Sequence, residues 1–315
     1  MRIQWLGAAA ALFCAGAVSA APYHAPRMPW GAPDLEGMWS NSSLTTLQRR
    51  PGLPATIKEA EVPALERRIV TMIEMPDGDE LGQGASEWSD AAHLARLGGE
   101  VRTSWIVEPS DGRIHYTPEG QRRFAKMLRG MLAAFDNPED RPTSERCLIA
   151  SGGTAGPPLI NHKYGSNLQI VQTGDAVAIY SEMNHDVRII RLNASHLPQQ
   201  MRPWMGDSVG HFEGETLVVE TTHFNPAEAD HGGYYMSPEA TLVERFTRTL
   251  PTEIRYEFTV ADPAIYEKPW RGEMAFHSGP ATILEYACHE GNYAVRGALA
   301  GARREESLKT AKPGQ

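Results

Sequence analysis

The chain has 315 residues, of which 41% are hydrophobic and 22% are charged. This composition is typical of a globular protein and argues against a disordered or fibrous chain. The formal net charge of −9 argues against a general nucleic-acid-binding protein, because phosphate contacts require a basic face. The length allows one large domain or two small ones.

The N-terminus has the features of a secretory signal peptide. Arg2 precedes an almost unbroken run of apolar and small residues from Leu6 to Val18, and Val18-Ser19-Ala20 offers small residues where a signal peptidase reads. The run is shorter than the roughly 20 apolar residues that a transmembrane helix needs. We therefore expect residues 1–20 to be a Sec-type signal peptide cleaved after Ala20. The protein is then periplasmic or secreted, with no transmembrane segment.

The cysteines fit this location. Of the three, Cys14 is removed with the signal peptide, which leaves Cys147 and Cys288 in a compartment that permits disulfides. His289 follows Cys288, but a thiol with one available partner in an oxidising compartment is more often bonded than nucleophilic. We expect a Cys147–Cys288 disulfide.

The first half of the mature chain reads as a leader and a helical region. Residues 21–36 contain four prolines and are expected to form an extended leader. Apolar periodicity and capping then predict a helix from Val62 to Ile73, a short helix over residues 90–97, and a helix that begins at Thr117-Pro118. These elements form a largely helical insertion over about residues 50–165.

From about residue 167 the apolar period changes from 3.6 to 2, which indicates strands. Strands are predicted at residues 168–172, 177–183, 187–192, 208–212, 216–222, 240–248, 254–260, 270–276 and 282–288. Their short connections predict antiparallel pairing, and closure of the sheet would hide its edge strands. Gly37-Met38-Trp39 resembles the G-x-W that opens the first strand of lipocalin-like barrels.

We therefore predict a mainly β (α+β) protein. Its core is an antiparallel meander closing into a lipocalin-like β-barrel of about 8–10 strands, with the helical insertion packed on it. A β-sandwich is the alternative architecture. Residues 37–304 form a single domain, and residues 305–315 form a polar tail.

Four longer motifs occur together along the chain. They are Pro33–Trp39, Glu145–Leu148, Gly206–Thr222 and Tyr286–Tyr293. In combination they resemble a family of secreted bacterial hypothetical proteins, over most of the mature chain. That family has no established general activity, so the resemblance implies no catalytic roles. Phe212 and His223 stand where the pattern implies Trp and Asn, and the His223 departure points to chemistry particular to this branch.

Compact motifs for metals, nucleotides and nucleophiles are missing from the sequence. It contains no H-E-x-x-H, no paired C-x-x-C, no G-x-G-x-x-G and no G-x-S-x-G. The 11 histidines are scattered, and ligands assembled from separate strands would leave no spacing signature. We expect neither a metal nor another cofactor.

The alternation of side chains along the strands predicts which charged residues point into the barrel. Hairpin turns at Gly174-Asp175 and Asn184-His185 define a mostly apolar inward face across residues 168–192. Arg188 and Asp186 are its charged exceptions, and burying a charge alone costs several kcal/mol. Either these two side chains pair near the rim, or Arg188 holds the carboxylate or phenolate of a ligand.

Two further strand pairs supply candidate site residues. With a turn at Glu213-Gly214, Ser208 and His223 share one strand face with Trp204. This arrangement suits the open end of a barrel, where an aromatic ligand stacks on Trp204 and His223 transfers a proton. A solvent-exposed strand end is the alternative reading of His223. Near residues 240–260 the register leaves open whether Glu244 or Arg245 points inward.

We therefore predict a cofactor-independent periplasmic lyase or isomerase. It couples proton transfer to decarboxylation, deformylation or elimination on a small aromatic acid or phenol. The catalytic candidates are His185, His223, Arg188, Tyr256 and Glu182, and the substrate-binding candidates are Trp204, Ser208, Asp186 and Phe258. The alternative is a non-catalytic lipocalin-like carrier of a small hydrophobic or aromatic anion. A third possibility is an envelope scaffold with a filled barrel.

Overall fold

A closed barrel forms the centre of the computed structural model, which describes residues 23–73, 93–150, 154–162, 164–228 and 233–310. The strands are β1 (Gly37–Ser40), β2 (Thr56–Ile57), β3 (Arg96–Leu97), β4 (Glu100–Arg102), β5 (Ile106–Glu108), β6 (Asn167–Gln172), β7 (Ala176–Ser181), β8 (Val187–Leu192), β9 (Asp207–Glu213), β10 (Thr216–Thr222), β11 (Thr241–Leu250), β12 (Glu253–Ala261) and β13 (Trp270–Ser278). The helices are α1 (Val62–Ile73), α2 (Pro118–Ala133) and α3 (Ala294–Thr310). The predicted signal peptide lies outside the described residues.

Nine strands close the barrel in the order β1-β6-β7-β8-β9-β10-β11-β12-β13, and β13 pairs back onto β1. Every pair in this ring is antiparallel except β8–β9, which is parallel with Ile190 opposite Ser208. An odd-numbered ring requires at least one parallel pair, because each antiparallel step reverses the strand direction. The predicted barrel with a helical insertion is confirmed, whereas the purely antiparallel meander is wrong at this step.

The parallel pair determines the path of the chain between β8 and β9. Parallel neighbours start at the same end of a sheet, so their connection must run back along the strands. Residues 193–206 make this return, and we call them the crossover. The crossover reaches β9 through Gly206, which has a φ of +70°. A Cβ there would lie 2.8 Å from Thr221 Cγ2 and 2.9 Å from the Thr222 carbonyl oxygen.

The interior of the barrel is a packed core. The inward side chains from seven of its strands are almost fully buried and belong to one apolar cluster: Leu168, Ile170, Val177, Ile179, Ile190, Leu217, Val219, Leu242, Phe246, Ile254, Tyr256, Phe258, Val260, Met274 and Phe276. Tyr256 stacks on Phe258 with ring centroids 5.4 Å apart. Such packing makes the barrel a rigid scaffold.

One charged pair lies inside this core. Arg188 donates from Nη1 to Glu244 Oε1 at 2.9 Å and also contacts Glu244 Oε2 through Nη2. It also donates to Ser208 Oγ and Thr221 Oγ1, each at 3.0 Å. Glu244 is therefore the inward residue that the sequence left undecided. The suggested Arg188–Asp186 pair is wrong, because the deeper Glu244 takes the guanidinium in a two-pronged contact.

Tyr256 completes the buried network. Its hydroxyl donates to Glu244 Oε1 at 2.7 Å and accepts the Leu159 N–H at 3.0 Å. Burial, followed by the nearby Glu244 charge, raises the pKa of this phenol well above its ordinary value. The Tyr256 hydroxyl therefore remains a donor to the carboxylate, and the network joins the β8, β11 and β12 strands with the segment before β6.

The register matches the sequence expectation in one hairpin and is shifted in two. Leu168 faces Ser181 in β6–β7 as expected, but Val177 faces Ile190 in β7–β8 and Leu217 faces Phe212 in β9–β10. Both shifts equal two residues, because the turns of these two hairpins are not centred on Asn184-His185 and Glu213-Gly214, where the sequence placed them. A shift of two keeps each side chain on its face.

Two predicted segments need correction. Residues 282–288 are not a strand, because the edges of β13 are already paired with β12 on one side and with β1 and β5 on the other. Residues 96–97 form β3 and not the end of a helix, while residues 90–92 lie outside the described residues. The α3 helix continues to Thr310, into the stretch expected to be a polar tail.

The helical insertion is tied covalently to the segment that follows the last barrel strand. A disulfide joins Cys147 to Cys288, as predicted. The α1 helix spans the predicted residues, and α2 begins as expected where the Thr117 side chain accepts the Gly120 N–H. None of the helices in the described part of the chain is long and apolar enough to cross a membrane.

We expect Glu244→Gln to lower the free energy of unfolding by about 3–5 kcal/mol, because it leaves the buried Arg188 charge uncompensated. Urea denaturation measures the change. The matched control is Glu213→Gln, which breaks the exposed Arg245–Glu213 pair and should cost less than about 1 kcal/mol. Similar losses in the two variants would contradict the assignment of Arg188–Glu244 as a buried pair.

Gly206→Ala should destabilise the protein by more than Gly214→Ala. Both glycines have positive φ, +70° and +59°, so an alanine costs about 1–2 kcal/mol of backbone strain at either position. Only Gly206 has atoms within 4 Å of the added Cβ, and these belong to β10 and the residues after it. Equal thermal unfolding midpoints for the two variants would show that the crossover does not pack closely on β10.

Candidate functional site

A cleft lies between the crossover and the outward face of β8. Its volume is about 250 Å³. Val187 and Ile189 of β8 form one wall, and Leu197, Pro203 and Trp204 of the crossover form the other. The indole of Trp204 is 43% exposed and Ile189 is 52% exposed. Apolar groups of this size at a surface cleft are typical of a binding site.

Three chemically competent side chains meet at the start of β9. Asp207 is the first residue of β9 and faces Thr222, the last residue of β10. His223 follows Thr222 directly, so the register brings it beside Asp207. His196 comes from the crossover, which the parallel pairing returns to this end of β9. We call His196, Asp207 and His223 the histidine–aspartate cluster.

Asp207 is the hub of the cluster. Its Oδ2 lies 2.8 Å from His196 Nδ1 and 4.0 Å from His223 Nδ1, and it accepts the Leu197 N–H at 2.8 Å. Its Oδ1 accepts from Arg191 at 2.7 Å. Burial opposes ionisation of this carboxyl, but the Leu197 N–H, His196 and Arg191 together outweigh it and lower the pKa. Asp207 is therefore an ionised carboxylate.

His196 is held between two carboxylates. Its Nδ1 faces Asp207, and its Nε2 lies 3.0 Å from Glu220 Oε1. The Glu220 side chain is half exposed, whereas that of Asp207 is almost fully buried. Asp207 therefore fixes the ring, and Glu220 is the partner that can leave Nε2 at little cost.

His223 is held in place by its backbone. Its φ is +55°, in the left-handed region that is uncommon for residues other than glycine. Its ring centroid is 5.7 Å from that of His196. Nδ1 of His223 is buried and has no hydrogen-bond partner among the described residues. A buried polar atom without a partner costs free energy and calls for an explanation.

Two carboxyl groups with raised pKa values lie behind the cleft. Met205 lines the cleft and donates its backbone N–H to Glu228, at 2.7 Å and 2.9 Å from the two carboxyl oxygens. Burial raises the pKa of Glu228 to about 7, and the Asp186 charge adds to the shift. Burial likewise raises the pKa of Asp186 to about 6. These groups titrate near neutral pH beside the crossover.

The structure distributes the residues predicted from the sequence over three places. Arg188, Tyr256, Phe258 and Ser208 lie in the barrel core, where their polar groups are bonded to one another or to Glu244 or Thr221. Only Ser208 and Arg188 of these also border the cleft. His223 lies in the histidine–aspartate cluster, and Trp204 lines the cleft.

The third place is the turn between β7 and β8. Glu182 is buried and accepts from Asn167 Nδ2 at 2.6 Å and from the Leu284 N–H at 3.2 Å. His185 Nε2 accepts the Tyr286 N–H at 3.1 Å. Glu182 and His185 therefore fasten the segment after β13 to the turn, whereas Asp186 accepts the Ala150 N–H at 2.8 Å.

Sequence reasoning missed His196, Asp207, Glu220 and Glu228. Asp207 belongs to a motif that the sequence singled out, but its partners are distant or lie in the crossover. His196 had no periodic signal, because the crossover is irregular. The available clue was the long stretch between β8 and β9, since a connection of that length permits a parallel return.

The histidine–aspartate cluster can perform two kinds of chemistry. An imidazole oriented by a buried carboxylate is a general acid or base. The same three side chains each offer one ligand atom, and these atoms lie within 4.8 Å of one another, so they can hold a metal ion.

We expect the stability of the protein to fall as the pH rises from about 4.5 to 7. Glu228 has an ordinary pKa of 4.5 and a folded-state pKa of about 7. The folded state therefore binds its proton more tightly, which gives a loss of about 3 kcal/mol across this window. Asp186 acts in the same direction. Urea denaturation of Glu228→Gln should show a much flatter pH dependence, whereas the exposed control Glu239→Gln should keep the wild-type slope. An unchanged slope in Glu228→Gln would contradict the burial of this carboxyl.

Models of known protein families, curated proteins and solved structures yield no match to the chain. The resemblance to secreted bacterial hypothetical proteins therefore stays a prediction.

Proposed function

We propose that the protein is a lyase or isomerase that moves a proton on a small aromatic acid or phenol. The substrate lies in the cleft, and the histidine–aspartate cluster supplies the acid–base groups. The observation that carries the proposal is the juxtaposition of an oriented imidazole, His196 on Asp207, with a cleft whose wall is the exposed Trp204 indole. The acid–base groups and the ligand-binding surface are then adjacent.

The walls of the cleft favour a small aromatic ligand. Val187, Ile189 and Trp204 expose apolar surface that would gain from being covered by a ring, and an indole stacks well on another aromatic ring. A volume of about 250 Å³ is below the range of about 300–1,000 Å³ that holds drug-sized ligands. A single substituted ring fits these limits.

Arg191 supplies a positive charge for an anionic substrate. It lines the cleft, and its side chain is about one-third exposed. It donates to Asp207 Oδ1 at 2.7 Å and to the Ser195 carbonyl at 3.0 Å, which fixes the guanidinium beside the cluster. Its remaining N–H groups can bind a carboxylate or a phenolate, and they would hold negative charge that develops during reaction.

His196 is the group that moves the proton. Asp207 holds Nδ1 and so presents Nε2 as the reactive nitrogen. Glu220 bonds that nitrogen from an exposed position, and a substrate that displaces the Glu220 carboxylate gains access to Nε2. Proton removal or delivery at the substrate can then drive elimination or decarboxylation, while Arg191 stabilises the anion.

The test is incubation of the purified protein with a panel of aromatic carboxylic acids and phenols, with products identified by mass spectrometry.

For any substrate found, Asp207→Asn should lower kcat/KM by about 10²–10⁴-fold, because the imidazole loses its orienting carboxylate. Trp204→Ala should raise KM by about tenfold through lost stacking. Far-UV circular dichroism verifies that the variants are folded.

Trp30→Ala is the matched control for Trp204→Ala. Both indoles are 43% exposed, but Trp30 lies in the leader and does not line the cleft. Its kinetic constants should equal those of the wild type. If no member of the panel is converted while aromatic anions bind in a Trp204-dependent manner, the enzyme proposal fails and the protein is a carrier.

A further inference from the structure

We infer that the histidine–aspartate cluster is a binding site for a divalent transition-metal ion, with zinc as the reference ion. The ligands would be His196 Nδ1, Asp207 Oδ2 and His223 Nδ1. The inference shares the location of the proposed active site and rests on that location, but it does not depend on the proposed reaction.

The distances suit a metal. One ligand atom from each of the three residues lies within 4.8 Å of the others. Oδ2 of Asp207 is 2.8 Å from His196 Nδ1 and 4.0 Å from His223 Nδ1. Zinc bonds of about 2.0–2.1 Å place tetrahedral ligands about 3.4 Å apart. Changes of about 0.6 Å in each of the two distances to Asp207 Oδ2 would bring them to this spacing.

The donor set matches known preferences. Two imidazole nitrogens and one carboxylate oxygen are ligands for zinc, iron(II) and related ions, and they leave coordination positions for water or substrate. The side chains of His196 and His223 are 23% and 19% exposed. An ion can therefore reach the cluster from solvent, while the buried Asp207 anchors it.

The groups that hydrogen-bond to the proposed ligands are arranged like those around metal-binding histidines in other proteins. In the metal-bound state Nε2 of His196 would donate its proton to Glu220 Oε1, which lies 3.0 Å away, and Nδ1 would bind the ion in place of its hydrogen bond to Asp207. The Leu197 N–H and Arg191 hold the Asp207 carboxylate. Two carboxylates against one guanidinium leave the surroundings negative, which favours a cation.

His223 provides the independent observation. Its Nδ1 is buried next to Asp207 and lacks a hydrogen-bond partner within the described ranges. Its backbone adopts a positive φ that few non-glycine residues tolerate. Strain of this kind persists when the surroundings impose it, and it clusters at functional sites. A metal ion would satisfy the orphaned nitrogen.

The experiment is isothermal titration of the tag-free, chelator-treated protein with zinc chloride. We expect one ion per chain. His196→Ala and His223→Gly should each weaken binding by about 100-fold or more, since each removes a ligand. Glycine at position 223 accommodates the positive φ, so this variant keeps the backbone. The control is His211→Ala, which removes an exposed β9 histidine outside the cluster and should bind zinc like the wild type.

X-ray absorption of the cobalt(II)-loaded wild type provides a readout that requires no variant. We expect a shell of nitrogen and oxygen only, with scattering from two imidazoles. Absence of stoichiometric binding, equal affinity in all variants, or a shell without imidazole would overturn the inference. These results are independent of turnover. A protein that binds zinc but converts no aromatic substrate refutes only the proposed reaction, and the reverse result refutes only the metal site.

Discussion

Strand parity is the constraint on which the rest of the structure depends. A ring of nine strands cannot close with antiparallel pairs alone, and this barrel satisfies the requirement at a single place, between β8 and β9. The parallel pair forces the crossover to run back over the outside of β8. That return path creates the cleft, and it carries His196 to the start of β9 beside Asp207. Topology and candidate site therefore have the same origin.

The candidate reactive groups of the barrel lie on its outside. Inside, aromatic and aliphatic side chains fill the described core, and the one guanidinium there is neutralised by Glu244. Arg188 and Tyr256 thus stabilise the scaffold, since their polar groups are bonded to protein partners. Outside, Arg191 and His196 are partly exposed and border open space. Alternation along β8 explains the division, because Arg188 and Arg191 lie on opposite faces of one strand.

Much of the fold could be predicted from local patterns, whereas the candidate site could not. Alternation of apolar and polar residues located eight of the barrel strands to within about two residues. A half-buried strand shows this alternation because its side chains point in turn to the core and to solvent. The two-residue register shifts left those faces intact, so Arg188 was correctly placed inward. Its partner Glu244 lies 56 residues away, at a register that no local turn determines. His196 meets Asp207 only because of strand parity, which is a property of the whole ring.

Ligand binding in the cleft, outside a filled barrel, can be located by anomalous diffraction. Crystals of the protein grown with a bromine-bearing benzoate would be measured at the bromine absorption edge. We expect one strong peak between the crossover and β8, with the ring against Trp204 and the carboxylate near Arg191. A peak inside the barrel beside Tyr256 and Phe258, or bound ligand elsewhere with an empty cleft, would contradict it.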